Sequence, residues 1–218
     1  MKRYIALIFV FSVLLAGCSS LNVRTDVSSF HDMGATTGVT YSIIPFNEQV
    51  GGLEFRTYAQ LVNAELKKVG MIEVGAQDAS VAIFIKYGID NGREVQSSYP
   101  IIGQTGVASS STYGSVNRYG NTSTLNATTY NTPSYGVVGS GVRTDTVFHR
   151  FLELEIVEVA SLKSGVAPRK LYQGKVTSVG TTGQLSAVMP YLIESIFRDF
   201  PGQSGKARHY EIRMDKNK

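Results

Sequence analysis

The chain has 218 residues, 43% of them hydrophobic, with 21 basic side chains against 17 acidic ones and a single cysteine, Cys18. One cysteine excludes an intrachain disulfide and a thiolate metal cluster, so the fold must rest on an ordinary apolar core. A formal charge of +4 is small for this length and argues against a nucleic-acid partner.

Met1, Lys2 and Arg3 form a short positive start, and Ile5 to Leu15 is an apolar run interrupted only by Ser12. That run has the length of the apolar core of a secretory signal and is too short to span a bilayer. It leads into Leu15-Ala16-Gly17-Cys18, which resembles the lipobox of bacterial lipoproteins. The resemblance implies cleavage before Cys18, a diacylglyceryl group on its sulfur and a third acyl chain on its new amino group. Each buried CH₂ contributes about 0.8 kcal/mol, so two or three long chains hold a protein on a membrane almost permanently. An ordinary secretory signal with a chance cysteine is the plainer alternative. Ser19, where an aspartate would signal inner-membrane retention, points by the same resemblance to the outer membrane. Removing residues 1 to 17 takes Lys2 and Arg3 from the basic total and leaves 19 basic side chains against 17 acidic ones.

Residues 18–39 read as a lipidated N-terminus and tether, with a possible first edge strand near Asn22–Ser28. Residues 40–96 form the first half of a folded domain. Thr40 to Phe46 has strand character and ends at Pro45. Leu53 to Val69 places Phe55, Tyr58, Leu61, Val62, Leu66 and Val69 on one helical face. Lys67 and Lys68 suit its C-terminal dipole, and Gly70 suits the position just past the end. Met71 to Val74 is a short strand. Ala79 to Ile89 is a longer one, with Val81, Ile83, Ile85, Tyr87 and Ile89 on one side.

Residues 97–146 change character. Serine, threonine, glycine and asparagine dominate, tyrosines punctuate, and large aliphatic groups are few. The composition predicts either a flexible excursion or loose hairpin without a partner, or an adaptable binding arm. Tyrosine among small polar residues supplies rigid contact area at low entropic cost, which singles out Tyr113, Tyr119, Tyr130 and Tyr135 as partner contacts. Asn121-Thr122-Ser123 and Asn126-Ala127-Thr128 fit the N-glycosylation pattern by chance.

Residues 147–218 form the second half and a C-terminal tail. Val147 to Val159 and Arg169 to Val179 read as strands. A helix built from Leu185, Val188, Leu192, Ile196 and Phe200 follows. Pro190 requires that helix to start near Met189, or residues 185–189 to form a separate turn. His209 to Met214 adds a last edge strand. The plan is an α+β two-layer sandwich, a mixed or largely antiparallel sheet covered on one face by two helices, with a long low-complexity insertion. A right-handed crossover through the first helix makes its flanking strands parallel.

No catalytic constellation emerges. Glu153 and Glu155, with Glu158 nearby, read as a solvated strand face rather than an acid–base pair. His31, His149 and His209 lack metal-ligand spacing. There is no nucleophile elbow, and no glycine loop follows a strand to hold phosphate. The basic tail residues Lys206, Arg208, Arg213, Lys216 and Lys218 read as a solvated terminus, with an anionic surface as the alternative. No cofactor or metal is expected.

His149-Arg150-Phe151-Leu152, Lys170-Leu171-Tyr172-Gln173-Gly174 and the ending Phe197-Arg198-Asp199-Phe200-Pro201 resemble a group of proteobacterial lipoproteins. Those proteins share a domain of unknown function. Glu65-Leu66-Lys67-Lys68-Val69-Gly70 and the strand introduced by Asp78 are similar too. The resemblance covers most of residues 22–202 and implies an envelope location, with no activity to carry over. The sequence thus reads as a lipid-anchored, non-enzymatic accessory, assembly or binding module. A peptidoglycan or small-ligand binder is the alternative, and an envelope hydrolase a more remote one.

Overall fold

The computed structural model describes residues 22–163 and 167–215. The segment expected to be a signal (residues 1–17), Cys18 and the tail residues Lys216 and Lys218 lie outside the described residues. Eight strands form one mixed sheet: β1 (Asn22–His31), β2 (Thr40–Ile43), β3 (Ile72–Glu73), β4 (Val81–Ile89), β5 (Arg93–Tyr119), β6 (Thr122–Glu158), β7 (Lys170–Gly180) and β8 (Arg208–Arg213). The helices are α1 (Leu53–Lys68), α2 (Val159–Lys163) and α3 (Leu185–Phe197). Spatial order is β3-β2-β4-β6-β7-β1-β8, and β5 pairs with β6 off that path. The fold is α+β with an open sheet. By density of internal contacts the chain divides into a body, through Arg93 and again from Val147, and a second unit, Glu94–Thr146.

In the body, β2 lies between β3 and β4 and runs parallel to both. The parallel pairing of β2 with β3, the strands that flank α1, is the arrangement a crossover through that helix requires. Every other described pairing in the body is antiparallel. Helix α1 buries Tyr58, Val62 and Leu66. Its end is a Schellman cap: Gly70 N–H donates to Lys67 O (3.1 Å) and Met71 N–H to Leu66 O (3.1 Å). Gly70 takes φ +85°, the left-handed conformation that cap needs. Alternate strand residues share the core with the helices. Val23 and Val27, Ile83 and Ile85, Leu152, Leu154 and Ile156, and Tyr172 and Val176 join Val62, Leu66, Val188, Leu192 and Ile196 in one cluster. Each large aliphatic side chain so buried contributes about 1.5–3 kcal/mol before entropy is counted.

Two sequence expectations change in the body. β1 is not an edge strand, because it pairs with β7 on one side and with β8 on the other. Both neighbours come from the far end of the chain, so nothing local reveals them. Helix α3 begins at Leu185 and passes through Pro190, instead of starting near Met189. The helix continues without the bond that a residue with an N–H at this position would make to the Ser186 carbonyl. Eight residues of this segment are buried, and their packing outweighs the missing bond.

The second unit is strand almost throughout. Its chain reverses at Gly120-Asn121, a two-residue hairpin loop. Gly120 has φ +61° and Asn121 does not have positive φ, the pattern of a type II′ turn with glycine at the first central position. Sequence reasoning weighed order here by aliphatic content. The backbone ladder and cross-strand hydroxyl pairs supply it instead: Ser110 donates to Asn131 (2.7 Å), and the hydroxyls of Thr112 and Thr129 meet at 2.8 Å.

Candidate functional site

The hairpin of Glu94–Thr146 carries the four tyrosines that the sequence singles out. Tyr113 and Tyr130 come together across the two strands, ring centroids 6.3 Å apart and near edge-on. Tyr119 stands at the turn and is 93% exposed; Tyr135, also exposed, lies along β6 away from that pair. Sequence reasoning missed the aliphatic residues on the same strands. Ile101, Ile102, Val107, Val116, Leu125, Val137, Val138 and Val142 are all exposed. They were hard to find because they are scattered singly or in pairs among small polar residues.

A two-stranded ribbon is marginal in water by itself, and each of its strands keeps an outer edge of N–H and C=O groups. Soluble proteins usually protect such edges with lysine, proline or bulges. From Val95 to Val142 the one charged side chain is Arg118, and the two prolines are Pro100 and Pro133. Neither proline has an N–H to offer, so the uninterrupted edges of this unit are 101–119 on β5 and, on β6, 122–132 and 134–146. Chemically this unit can add strands or stack on flat groups. It holds no acid, base or nucleophile pair.

The body's candidate groups are occupied locally. Glu153 meets Lys175 (2.9 Å), and Glu155 meets Lys170 (2.8 Å) and Gln173 (3.0 Å). Burial raises the Glu155 carboxyl, but the hydrogen bonds from Lys170 and Gln173 outweigh it and leave the group below its ordinary value. Glu158 lies 3.5 Å from Arg169. These are cross-strand ion pairs on a solvated face. The three histidines sit apart. His31 Nε2 contacts the Gly202 carbonyl (3.0 Å), His149 Nδ1 contacts Asp90 (3.0 Å), and His209 Nδ1 contacts Asp26. The backbone N–H of His149 is the main cause holding the Asp90 carboxyl below its usual range. In the basic tail, Arg208 reaches the Ser29 hydroxyl (3.1 Å) and the Asp199 carboxylate (3.9 Å), so it belongs to the fold rather than to a free cationic patch.

Sequence reasoning also passed over the depth of Arg150, which it noted only as the arginine opening a strand. Arg150 is 4% exposed. An arginine between His149 and Phe151 on a strand gives no local sign of whether its head reaches water.

The model of a protein family, "Domain of unknown function (DUF4136)", matches residues 23–202. No curated protein matches the chain. Among solved structures, the chain is similar to a PDZ domain protein from Parabacteroides distasonis, at 9% identity and a TM-score of 0.44. That match covers 88% of this chain and 39% of the other, so the chain spans well under half of that protein. At this TM-score the likeness bears on neither fold nor function.

Proposed function

The chain belongs to the DUF4136 family, and from that premise we propose that it is a lipid-anchored protein of the bacterial cell envelope, held at the outer membrane through Cys18. In this reading it is a non-enzymatic accessory or assembly module, its domain faces the periplasm, and the hairpin of Glu94–Thr146 is its contact. The lipobox-like Leu15-Ala16-Gly17-Cys18 and Ser19 support the anchor and the address. We read the body as two layers, with α1 and α3 on one face of the sheet; the alternation of buried residues along β1, β7 and the body part of β6 supports this.

The observation that carries the functional reading is the hairpin's surface. It combines exposed tyrosines and aliphatics, long edges, and almost no charge. Such a ribbon suits strand addition, in which main-chain hydrogen bonds give affinity and alternate side chains give selectivity. The second reading, a peptidoglycan or small-ligand binder, rests on the stacking capacity of Tyr113 and Tyr130.

In-cell cross-linking tests this with the native chain, Cys18→Ala, and a variant whose residues 97–146 are replaced by a short Gly/Ser linker. The native chain is expected to capture one envelope protein that the linker variant loses, and Cys18→Ala is expected to leave the membrane fraction. A partner that survives loss of the hairpin moves the contact to the body. Capture of no specific protein defeats the assembly reading, and quenching of tyrosine fluorescence by peptidoglycan fragments would then favour the second.

A further inference from the structure

At one end of the sheet the core-facing row turns polar. Arg150 of β6 is in register with Ser178 of β7, and Ser178 with Thr25 of β1. All three are almost completely buried. Thr25 is satisfied, its hydroxyl 2.8 Å from that of Ser195. Arg150 is not. Its Nη1 donates to the Thr182 carbonyl (3.1 Å) and its Nη2 to the Ser178 hydroxyl (3.1 Å), while Nε has no acceptor. Both partners are neutral, and among the described residues no carboxylate bonds the guanidinium. Asp90, the acid whose charge it feels, is engaged by His149 and Gly92. Gly180 makes room for the group: a Cβ there would lie 2.6 Å from Nη2.

Buried charges in proteins are paired, since an uncompensated one costs several kcal/mol. The missing partner has a place to sit. A cavity of about 450 Å³ opens beside Arg150, with Val23, Val179, Val188 and Met214 among its walls, a size within the usual range for small-molecule sites. At its rim Arg24 is paired with Glu211 at 3.4 Å. Asn22 and Arg24 hold the Glu211 carboxyl below its ordinary value, so the two rim charges answer each other and, among the described residues lining the cavity, the Arg150 guanidinium is the charge left uncompensated.

We propose that this cavity binds a small organic monoanion, a carboxylate with a short apolar body, whose head supplies the Arg150 guanidinium with the acid partner it lacks. The apolar walls take the tail. Arg150 is the specificity residue, because its planar fork suits a carboxylate and, among the described residues, no carboxylate bonds it. The site is separate from the hairpin, and neither reading depends on the other.

The test is titration calorimetry on the full chain in detergent with acetate, hexanoate and octanoate. Hexanamide serves as the neutral control, and inorganic phosphate and phenyl phosphate as the dianionic comparison. Saturable binding is expected for hexanoate or octanoate, with none for the amide and weaker binding for the phosphates. Arg150→Met, with urea unfolding to verify its fold, is expected to weaken carboxylate binding roughly ten- to a hundredfold, the loss of a charge-assisted hydrogen bond. Met214→Trp narrows the cavity from a partly buried position past the end of β8 and leaves Arg150 in place; it is expected to weaken octanoate more than acetate. Absence of saturable binding by any carboxylate overturns the proposal, as does equal affinity in native chain and Met214→Trp. Phosphate binding tighter than carboxylate overturns the ligand class.

Discussion

At the residue scale, the closing turn of α1 shows how much can rest on one backbone conformation. Thr36 Oγ1 donates to the Val69 carbonyl (2.7 Å) and Gly38 N–H to the Gly70 carbonyl (2.9 Å), so the loop before β2 holds the helix end from outside. A Cβ at Gly70 would lie 3.1 Å from Thr37 Oγ1 and 3.2 Å from Thr37 Cα. Gly38 has a similar φ, +82°, but nothing within 4 Å of the added atom. Gly70→Ala should therefore cost about 1–2 kcal/mol, and Gly38→Ala about 1 kcal/mol from conformation alone. Urea unfolding of both variants reads the difference; equal losses would mean that the Thr37 contact is harmless. This cap was legible in the sequence, since Lys67, Lys68 and Gly70 follow an apolar stripe in the order a helix end requires. The depth of Arg150 was not, because it depends on Ser178 and Thr182 from another strand and its following loop.

At the element scale, legibility follows how local the cause is. The body part of β6 alternates apolar and polar residues from Leu152 to Ile156 and so declares its own buried face, while β4 declares itself by the apolar run Val81 to Ile85. β1 alternates as well, but its neighbours lie more than a hundred residues away, and its interior place comes from them. The hairpin was the least legible element. Its strands bury almost nothing, and its order comes from each strand pairing with the other, through Ser110 with Asn131 and Thr112 with Thr129. Helix α3 fails a local rule for a tertiary reason. Local chemistry would break it at Pro190, yet Val188, Met189, Tyr191, Leu192, Ile193, Ile196 and Phe197 are all buried around that position. If packing carries the helix past the proline, restoring an N–H should add stability rather than remove it. Pro190→Ala is expected to stabilise the protein by about 1–3 kcal/mol in urea unfolding. A loss of stability would mean that the ring itself is packed as a core group, with the helix shaped around it.

At the scale of the whole molecule, the distribution of charge separates two jobs. The body carries most of the ion pairs among the described residues, including Glu153 with Lys175 and Glu155 with Lys170, while Arg143 with Asp145 lies near the end of the second unit. The hairpin is nearly bare of charge between Val95 and Val142, with Arg118 close to the turn. The core cluster draws no residue from the hairpin among those described, so the body's stability and the hairpin's surface can vary independently. That division predicts how a partner held by the hairpin responds to salt. Raising ionic strength from 0.1 M to 1 M shortens the screening length from about 10 Å to about 3 Å. Contacts made by body charges would weaken strongly over this range. Main-chain pairing along the hairpin edge and burial of its tyrosines would not. Capture of the partner from detergent extracts is therefore expected to be undiminished at 1 M salt. It should fall sharply in the double variant Ser110→Lys, Thr112→Lys, which places two charges on a ribbon that now has almost none. Loss of capture in salt, with the lysine variant still binding, would transfer the contact to the charged body and leave the hairpin without the role assigned to it.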